Sequence, residues 1–238
     1  MKRLIYSILT VLLSVLVLSS CSKKEEKAIE LSYSIFFPAS HLQAAAGAEW
    51  AQEIEKRTDG KVKITVYAGE TLTKAPQVYE GVVNGVSDIG MSVFAYTRGR
   101  FPLLEGLDLP LGYPDGVTAT KIANEVVKKY NPAELSDVKV LYLHAHGPGI
   151  LASKKKVENM SDLSSMKIRA TGLSAKIVSS LGAVPIAMSQ GETYEALQKG
   201  VAELHSVLSK RLKGGNRVKL LTMWLIHGQS AIQPLCLL

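Results

Sequence analysis

Cysteine is scarce in this chain of 238 residues, which has only Cys21 and Cys236. If Cys21 is modified after export, no disulfide can form within the mature chain. The sequence has no short internal repeat and no low-complexity tract, which argues against a solenoid or a repeat array. Apart from the N-terminus, no apolar run is long enough to cross a membrane. After Glu203 there is no acidic residue at all.

The N-terminus has the pattern of a targeting segment. Lys2 and Arg3 are followed by an apolar run from Ile5 to Leu18, which is too short for a stable membrane span. Leu18-Ser19-Ser20-Cys21 has the form of a bacterial lipobox. We predict a signal peptide at 1–20, lipidation of Cys21, and a lipid anchor with a charged tether at 21–30. The alternative is an ordinary secretory peptide with an incidental cysteine. Either reading predicts export to the periplasm or cell surface, and the first predicts anchoring to the membrane.

The formal net charge of +7 does not indicate a nucleic-acid partner. Lys2 and Arg3 belong to the predicted signal peptide, and five further basic residues lie after Glu203. Removing these seven from the 28 Lys and Arg leaves 21, equal to the 21 Asp and Glu. The basic run Lys154-Lys155-Lys156 has no interleaved aromatic residues and is typical of a solvated loop. The body of the protein is therefore neutral, and we predict no nucleic-acid binding.

Strand and helix patterns alternate along the body, which predicts an α/β fold. Pro185 in the last predicted strand favours a position at a sheet edge. Ser189-x-x-Glu192 has the spacing of a capping box at the start of the last helix. The predicted strands are 31–37, 62–66, 88–93, 138–143 and 184–187, with one more ending near Arg169, and the predicted helices are 42–57, 75–84, 117–130, 174–181 and 191–199.

The most informative stretch runs from Lys167 to Glu203. It places Arg169 at the end of a short apolar strand and continues with two compact α/β steps. A guanidinium held at a strand end suits bidentate capture of a carboxylate. A surface ion pair is the alternative role for such an arginine.

Several short motifs together resemble one family. They are Phe37-Pro38-Ala39-Ser40-His41, Gly99-Arg100-Phe101-Pro102, His144-Ala145-His146-Gly147-Pro148-Gly149, Lys167-Ile168-Arg169-Ala170-Thr171-Gly172 and Tyr194-Glu195-Ala196-Leu197-Gln198-Lys199-Gly200. Residues 31–203 resemble the solute receptors of TRAP (tripartite ATP-independent periplasmic) transporters, DctP type. Two departures occur. Glu70 stands where the family usually has glycine, and Ser164-Ser165 replaces Lys-Gly. We interpret both as surface changes.

The resemblance implies a two-lobed periplasmic-binding-protein-like fold with hinge strands. Lobe I would span 31–147 and a partial lobe II 148–203, with a hinge near Gly147-Pro148-Gly149. The lobes would close on an organic acid and deliver it to a sodium-coupled membrane permease, without catalysis or a cofactor. A dicarboxylate, a 2-oxo acid or another monocarboxylate all remain open.

By the same resemblance, Arg169 is the carboxylate-binding arginine. His41, Tyr96 and His146 are further candidates for contact with the solute. His144 and His146 lie on one face of a strand, which invites a metal interpretation, but no third ligand is apparent nearby and we predict no metal site.

The last 35 residues, 204–238, do not fit the family. A member would continue for about another hundred residues. Back-translation from Ser206 in a shifted frame permits a family-like continuation. We interpret 204–238 as an out-of-frame tail, which predicts an incomplete second lobe and a non-functional truncated copy.

Two functions of other classes stay open as alternatives. One is an exported α/β hydrolase, although no Gly-x-Ser-x-Gly or His-Glu-x-x-His motif is present. The other is a small lipoprotein without a role in transport. Binding of an organic acid would separate the receptor from both.

Overall fold

A computed structural model describes residues 27–109, 111–146, 149–153, 157–208 and 235–237. The predicted signal peptide, Cys21 and most of the tether lie outside the described residues. The helices are α1 (Leu42–Arg57), α2 (Val78–Val83), α3 (Pro102–Glu105), α4 (Gly116–Tyr130), α5 (Ser174–Ser180) and α6 (Thr193–Gln198). The strands are β1 (Ile29–Ile35), β2 (Val62–Ala68), β3 (Ile89–Val93), β4 (Tyr142–His144), β5 (Gly149–Ser153), β6 (Lys167–Ala170), β7 (Val184–Ala187), β8 (Leu204–Leu208) and β9 (Leu235–Leu237).

The first sheet has the strand order β2-β1-β3-β9-β4. Strands β1, β2 and β3 are parallel, with Ile29 opposite Val62 and Tyr33 opposite Ile89. Strand β9 is antiparallel to both β3 and β4. Tyr33 and Ile35 are fully buried beneath α1 and form the centre of this core. We call this sheet with its helices lobe I.

The ends of the two long helices follow from local chemistry. Nδ1 of His41 accepts a hydrogen bond from the amide of Gln43 and so caps α1. Asp115 caps α4 by accepting from Thr118 N at 2.7 Å. Asn131 ends α4 in the left-handed conformation, with φ 39°. The predicted helix at 42–57 is confirmed, and the one predicted at 117–130 begins a residue earlier.

The second sheet has the order β5-β8-β6-β7, in which β6 runs parallel to both β7 and β8. Its core is separate from that of lobe I and includes Leu163, Ile168 and Val178. We call this sheet with its helices lobe II. Pro185 lies in β7 at the sheet edge, as predicted.

These two cores confirm the predicted α/β class and its two lobes. The chain passes from the first sheet to the second between His144 and Gly149. Gly147 and Pro148 of the predicted hinge lie outside the described residues, and the boundary at 147/148 stays a prediction.

Several element predictions were wrong in part, among them the strand predicted at 31–37, which lies at Ile29–Ile35. The strand predicted at 138–143 is limited to Tyr142–His144, because Val138 and Val140 instead pack their side chains against the core of lobe I. Helix α6 begins at Thr193 rather than 191. The capping box is half formed, since Glu192 accepts from Ser189 N at 2.7 Å whereas the Ser189 hydroxyl is buried with no hydrogen-bond partner among the described residues.

The interpretation of residues 204–238 as an out-of-frame tail did not predict any strand there. The structure places Leu204–Leu208 as a strand between β5 and β6, and Leu235–Leu237 as a strand between β3 and β4. The rest of the tail lies outside the described residues. The shifted reading frame, the incomplete second lobe and the loss of function stay predictions, and binding of an organic acid by the full chain would contradict the last of them.

Ser165, one of the two departures from the family pattern, lies in the left-handed region with φ 64°. It is exposed, as the surface interpretation predicted, and its amide donates to the carbonyl of Gly182 at 3.1 Å. A residue with a Cβ is strained at this φ, whereas glycine is not. The family's glycine at this place is therefore the residue that the backbone favours.

We predict that Ser165→Gly raises the free energy of unfolding by about 0.5–1 kcal/mol, because the strain relieved exceeds the added entropy of the unfolded chain. Ser164→Gly is the matched control. Ser164 has φ −56° and ψ 125°, which serine adopts without strain, so this change should destabilise the protein. Urea denaturation measures both. Equal destabilisation by the two changes would contradict the argument.

Candidate functional site

The candidate site residues lie at the carboxyl ends of parallel strands. In lobe I, β2 is followed by Glu70 and β3 by Tyr96. In lobe II, Arg169 lies near the end of β6, and Met188 and Gln190 follow β7. Parallel strands end at the same edge of a sheet, and ligands of open α/β sheets bind outside that edge. Contacts between these residues bring the two edges together.

Arg169 is a nearly buried cation, with 6 % of its surface exposed. Its Nε and Nη2 both donate to the carbonyl oxygen of Met188, at 3.2 and 3.0 Å. These bonds fix the plane of the guanidinium while using two of its five N–H groups. Among the ion pairs between described residues, none includes Arg169. The structure thus holds a buried positive charge on neutral acceptors.

Tyr96 reaches Arg169 from the opposite lobe. Its hydroxyl accepts a hydrogen bond from Gln190 N at 3.0 Å. Burial raises the pKa of Tyr96, while the neighbouring Arg169 lowers it through its charge and through a side-chain hydrogen bond. Two of the predicted site residues, Arg169 and Tyr96, therefore meet between the lobes.

The two predicted histidines have other surroundings. His41 stacks on Phe37, with ring centroids 3.9 Å apart and planes 2° from parallel, and it caps α1. Phe37 packs on Phe36, and Phe36 packs on Tyr96. An aromatic row thus links His41 to the Arg169 site. His146 lies two residues beyond β4, half-buried, and its contact with a solute stays a prediction.

Glu70 is not a surface change, and that interpretation was wrong. Its side chain is only 14 % exposed. Oε1 accepts a hydrogen bond from Ala75 N at 3.0 Å. Across the lobe contact, a Cβ added to Gly191 would lie 3.6 Å from Oε2 of Glu70. The surface interpretation failed because Glu70 follows the carboxyl end of β2, and this end of the strand faces lobe II.

Comparison with known proteins identifies the family. Residues 33–203 match the family described as "Bacterial extracellular solute-binding protein, family 7", also called DctP. The chain belongs to this family. The family and the fold are those of solute-binding proteins and not of enzymes, so the hydrolase alternative is not supported.

Individual relatives agree with this assignment. The chain is 29 % identical over 161 residues to the 2,3-diketo-L-gulonate-binding periplasmic protein of Escherichia coli, covering 66 % of this chain and 49 % of that protein. A TRAP periplasmic solute-binding protein from Desulfovibrio salexigens is 35 % identical with a TM-score of 0.67, over 88 % of this chain and 65 % of that one. A marine-metagenome TRAP solute-binding protein specific for aromatic acids is 27 % identical with a TM-score of 0.76, over 89 % and 68 %. The chain spans about half the length of the curated relatives it matches.

The part of the chain that the structure describes also bears on metal binding and on membrane insertion. There, no three His, Cys, Asp or Glu side chains come together in a way that would hold a metal ion. In the same residues, no helix combines the length and the apolar character needed to span a bilayer.

A second contact between the lobes of this family 7 chain involves Asp108 and Gly172. Oδ2 of Asp108 accepts from Leu173 N at 3.3 Å, whereas Oδ1 is buried with no hydrogen-bond partner among the described residues. A Cβ on Gly172 would lie 2.8 Å from the Cβ of Ala95 and 3.2 Å from Oδ2 of Asp108, and Gly172 has φ 54°. Only glycine allows this approach.

Sequence reasoning missed Glu70, Asp108 and Met188. The position of Glu70 just beyond a predicted strand was a usable signal. Asp108 and Met188 act through contacts with residues 65 and 19 positions away, which no local pattern reveals.

Asp108 should make stability depend on pH. Burial raises its pKa to about 7, with the charge of Glu105 acting in the same direction. The folded state then binds more protons than the unfolded state between the ordinary carboxyl pKa near 4 and about 7. The contribution of Asp108 to the free energy of unfolding is complete below the lower of these two pKa values. It falls as the pH rises between them, by up to about 1.4 kcal/mol per pH unit.

Asp108→Asn keeps an acceptor for Leu173 N and removes the titration. We predict that its free energy of unfolding, relative to the unmodified chain, rises from pH 5 to pH 8. Glu49→Gln on the exposed face of α1 is the control and should show no such trend. Chemical denaturation at both pH values measures the difference. A difference that does not change with pH would contradict the assignment.

Proposed function

We propose that this chain is an extracytoplasmic solute receptor that binds the carboxylate of an organic acid through Arg169. The observation that carries the proposal is the buried guanidinium between two lobes, held on the Met188 carbonyl, with no carboxylate partner among the described ion pairs. A buried charge is costly unless it is paired. A solute carboxylate would supply that partner.

The fixed guanidinium plane also suits a carboxylate. Two parallel N–H···O bonds from a planar fork match the two oxygens of a carboxylate. Tyr96 would complete the contact from lobe I, since its hydroxyl already lies beside Arg169 and Gln190 N. His41 and His146 remain proposed contacts at the border of the same space.

The relatives support an organic acid. Those from E. coli and from the marine metagenome bind 2,3-diketo-L-gulonate and aromatic acids, respectively. Both ligand types carry a carboxylate and differ in the rest of the molecule. By family membership, we further propose delivery of the solute to the membrane permease of a sodium-coupled TRAP transporter, and periplasmic location.

Replacement of Arg169 tests the carboxylate contact. In the full 238-residue chain, Arg169→Ala should weaken organic-acid binding by about 2–5 kcal/mol, because a desolvated charge pair is lost. Arg169→Lys should weaken binding less, since it keeps the charge without the planar fork. Calorimetric titration with dicarboxylates, 2-oxo acids and aromatic acids is the measurement.

Arg57→Ala is the matched control, because Arg57 is exposed and paired with Glu53 at 2.7 Å on α1. Its loss should leave affinity unchanged. If Arg169→Ala also leaves affinity unchanged, Arg169 does not hold the carboxylate. If the unmodified chain binds none of these acids, the receptor function itself is wrong for this chain.

We also propose that Cys21 anchors the protein to the membrane by lipid. Replacement of Cys21 by alanine should move the protein from the membrane fraction to the soluble fraction. The reason is that a multiply acylated cysteine binds membranes stably, and the alanine variant carries no lipid. Cys236→Ala is the control and should stay with the membrane. Membrane retention of the Cys21 variant equal to that of the unmodified protein would contradict the anchor.

A further inference from the structure

Glu70 brings a negative charge to the surroundings of Tyr96, on which Arg169 acts with a positive one. It extends from lobe I just beyond β2, and Gly191 of lobe II lies against its carboxylate. The charge of Glu70 raises the pKa of Tyr96, whereas the charge of Arg169 lowers it. The Tyr96 hydroxyl therefore lies within the field of both groups.

The bonds of Glu70 leave its charge largely uncompensated. Oε1 accepts from Ala75 N at 3.0 Å. Oε2 has Lys74 Nζ at 3.8 Å, but that lysine side chain is 69 % exposed, so solvent screens the pair. Both oxygens lie near Gly191, since a Cβ added there would be 3.6 Å from Oε2 and 3.8 Å from Oε1. The side of the carboxylate directed at lobe II is thus an acceptor and a negative charge.

The backbone at Glu70 is in the left-handed region, with φ 63°. A side chain there is strained, and glycine is the residue that this conformation favours. This strain is retained at the contact between the lobes, which points to a role of the side chain there.

We propose that Glu70 is a specificity-determining residue that selects a monocarboxylate bearing a hydroxyl group and rejects dicarboxylates. This inference rests on the proposed function, with Arg169 holding the carboxylate. A hydroxyl at the far end of the solute donates to Oε2 of Glu70. A second carboxylate at that end meets a like charge in a space that closure of the lobes desolvates. Selectivity then comes from repulsion of the wrong solute as well as attraction of the right one.

Matched solutes test the proposal on the full chain. The probes are 3-hydroxybenzoate against benzene-1,3-dicarboxylate, and 4-hydroxybutyrate against succinate, in calorimetric titrations. The unmodified protein should bind the hydroxy acid of a pair at least tenfold more tightly than the diacid. In Glu70→Gln, which keeps an acceptor for Ala75 N and removes the charge, that ratio should fall tenfold or more. Glu70→Asp, which keeps the charge, should retain the preference.

Glu55→Gln, on the exposed face of α1, is the control and should leave the ratio unchanged. If Glu70 serves only to hold the turn at Ala75, Glu70→Gln will weaken both solutes of a pair equally, and the unchanged ratio overturns the inference while leaving the receptor function intact. A preference of the unmodified protein for the diacid would also overturn the inference and leave the receptor function intact. If the unmodified protein binds none of the four probes but binds another organic acid, the inference alone is overturned. If it binds no organic acid at all, the receptor function is overturned with it.

Discussion

The positive charge of Arg169, buried between two lobes, is the constraint on which the rest of the site depends. The Met188 carbonyl accepts from two N–H groups of the guanidinium and fixes its plane, but it carries no formal charge. A buried cation on neutral acceptors costs free energy unless an anion joins it. The fold tolerates this cost by placing the residue near the end of β6, where lobe I supplies the Tyr96 hydroxyl and excludes most solvent.

Bringing the lobes so close limits the residues at their contact. Gly172 lies against Ala95 and Asp108, and a larger residue would push the end of β6 away from that of β3. The same closeness desolvates Asp108, and this burial raises its pKa against the opposing effect of the hydrogen bond from Leu173 N. The contact between the lobes that shields Arg169 from water therefore also raises the pKa of Asp108.

Local patterns predicted what depends on local physics. The alternation of apolar residues predicted β2. The predicted boundaries of α1 agree with the structure because its cap and its basic last turn lie next to the helix ends in the sequence. Arg169 was found because a strand end and a motif coincide. Val138 and Val140 were misassigned because apolar residues of a loop pack into a core as readily as those of a strand. Glu70 and Asp108 were missed because the partners that define their roles lie in the other lobe.

Under the proposed function, the charge balance of the chain leaves the choice of solute to contacts at the site. Without its basic N-terminus and tail the body is neutral, and charges farther apart than about 8 Å are largely screened at physiological salt. Long-range attraction thus contributes little to the choice of a solute. Buried groups escape that screening, and Arg169 and Glu70 reach the Tyr96 hydroxyl from different lobes with opposite signs. Under the proposed function, a bound molecule would experience both charges only when the lobes are together, which would tie its recognition to their closure.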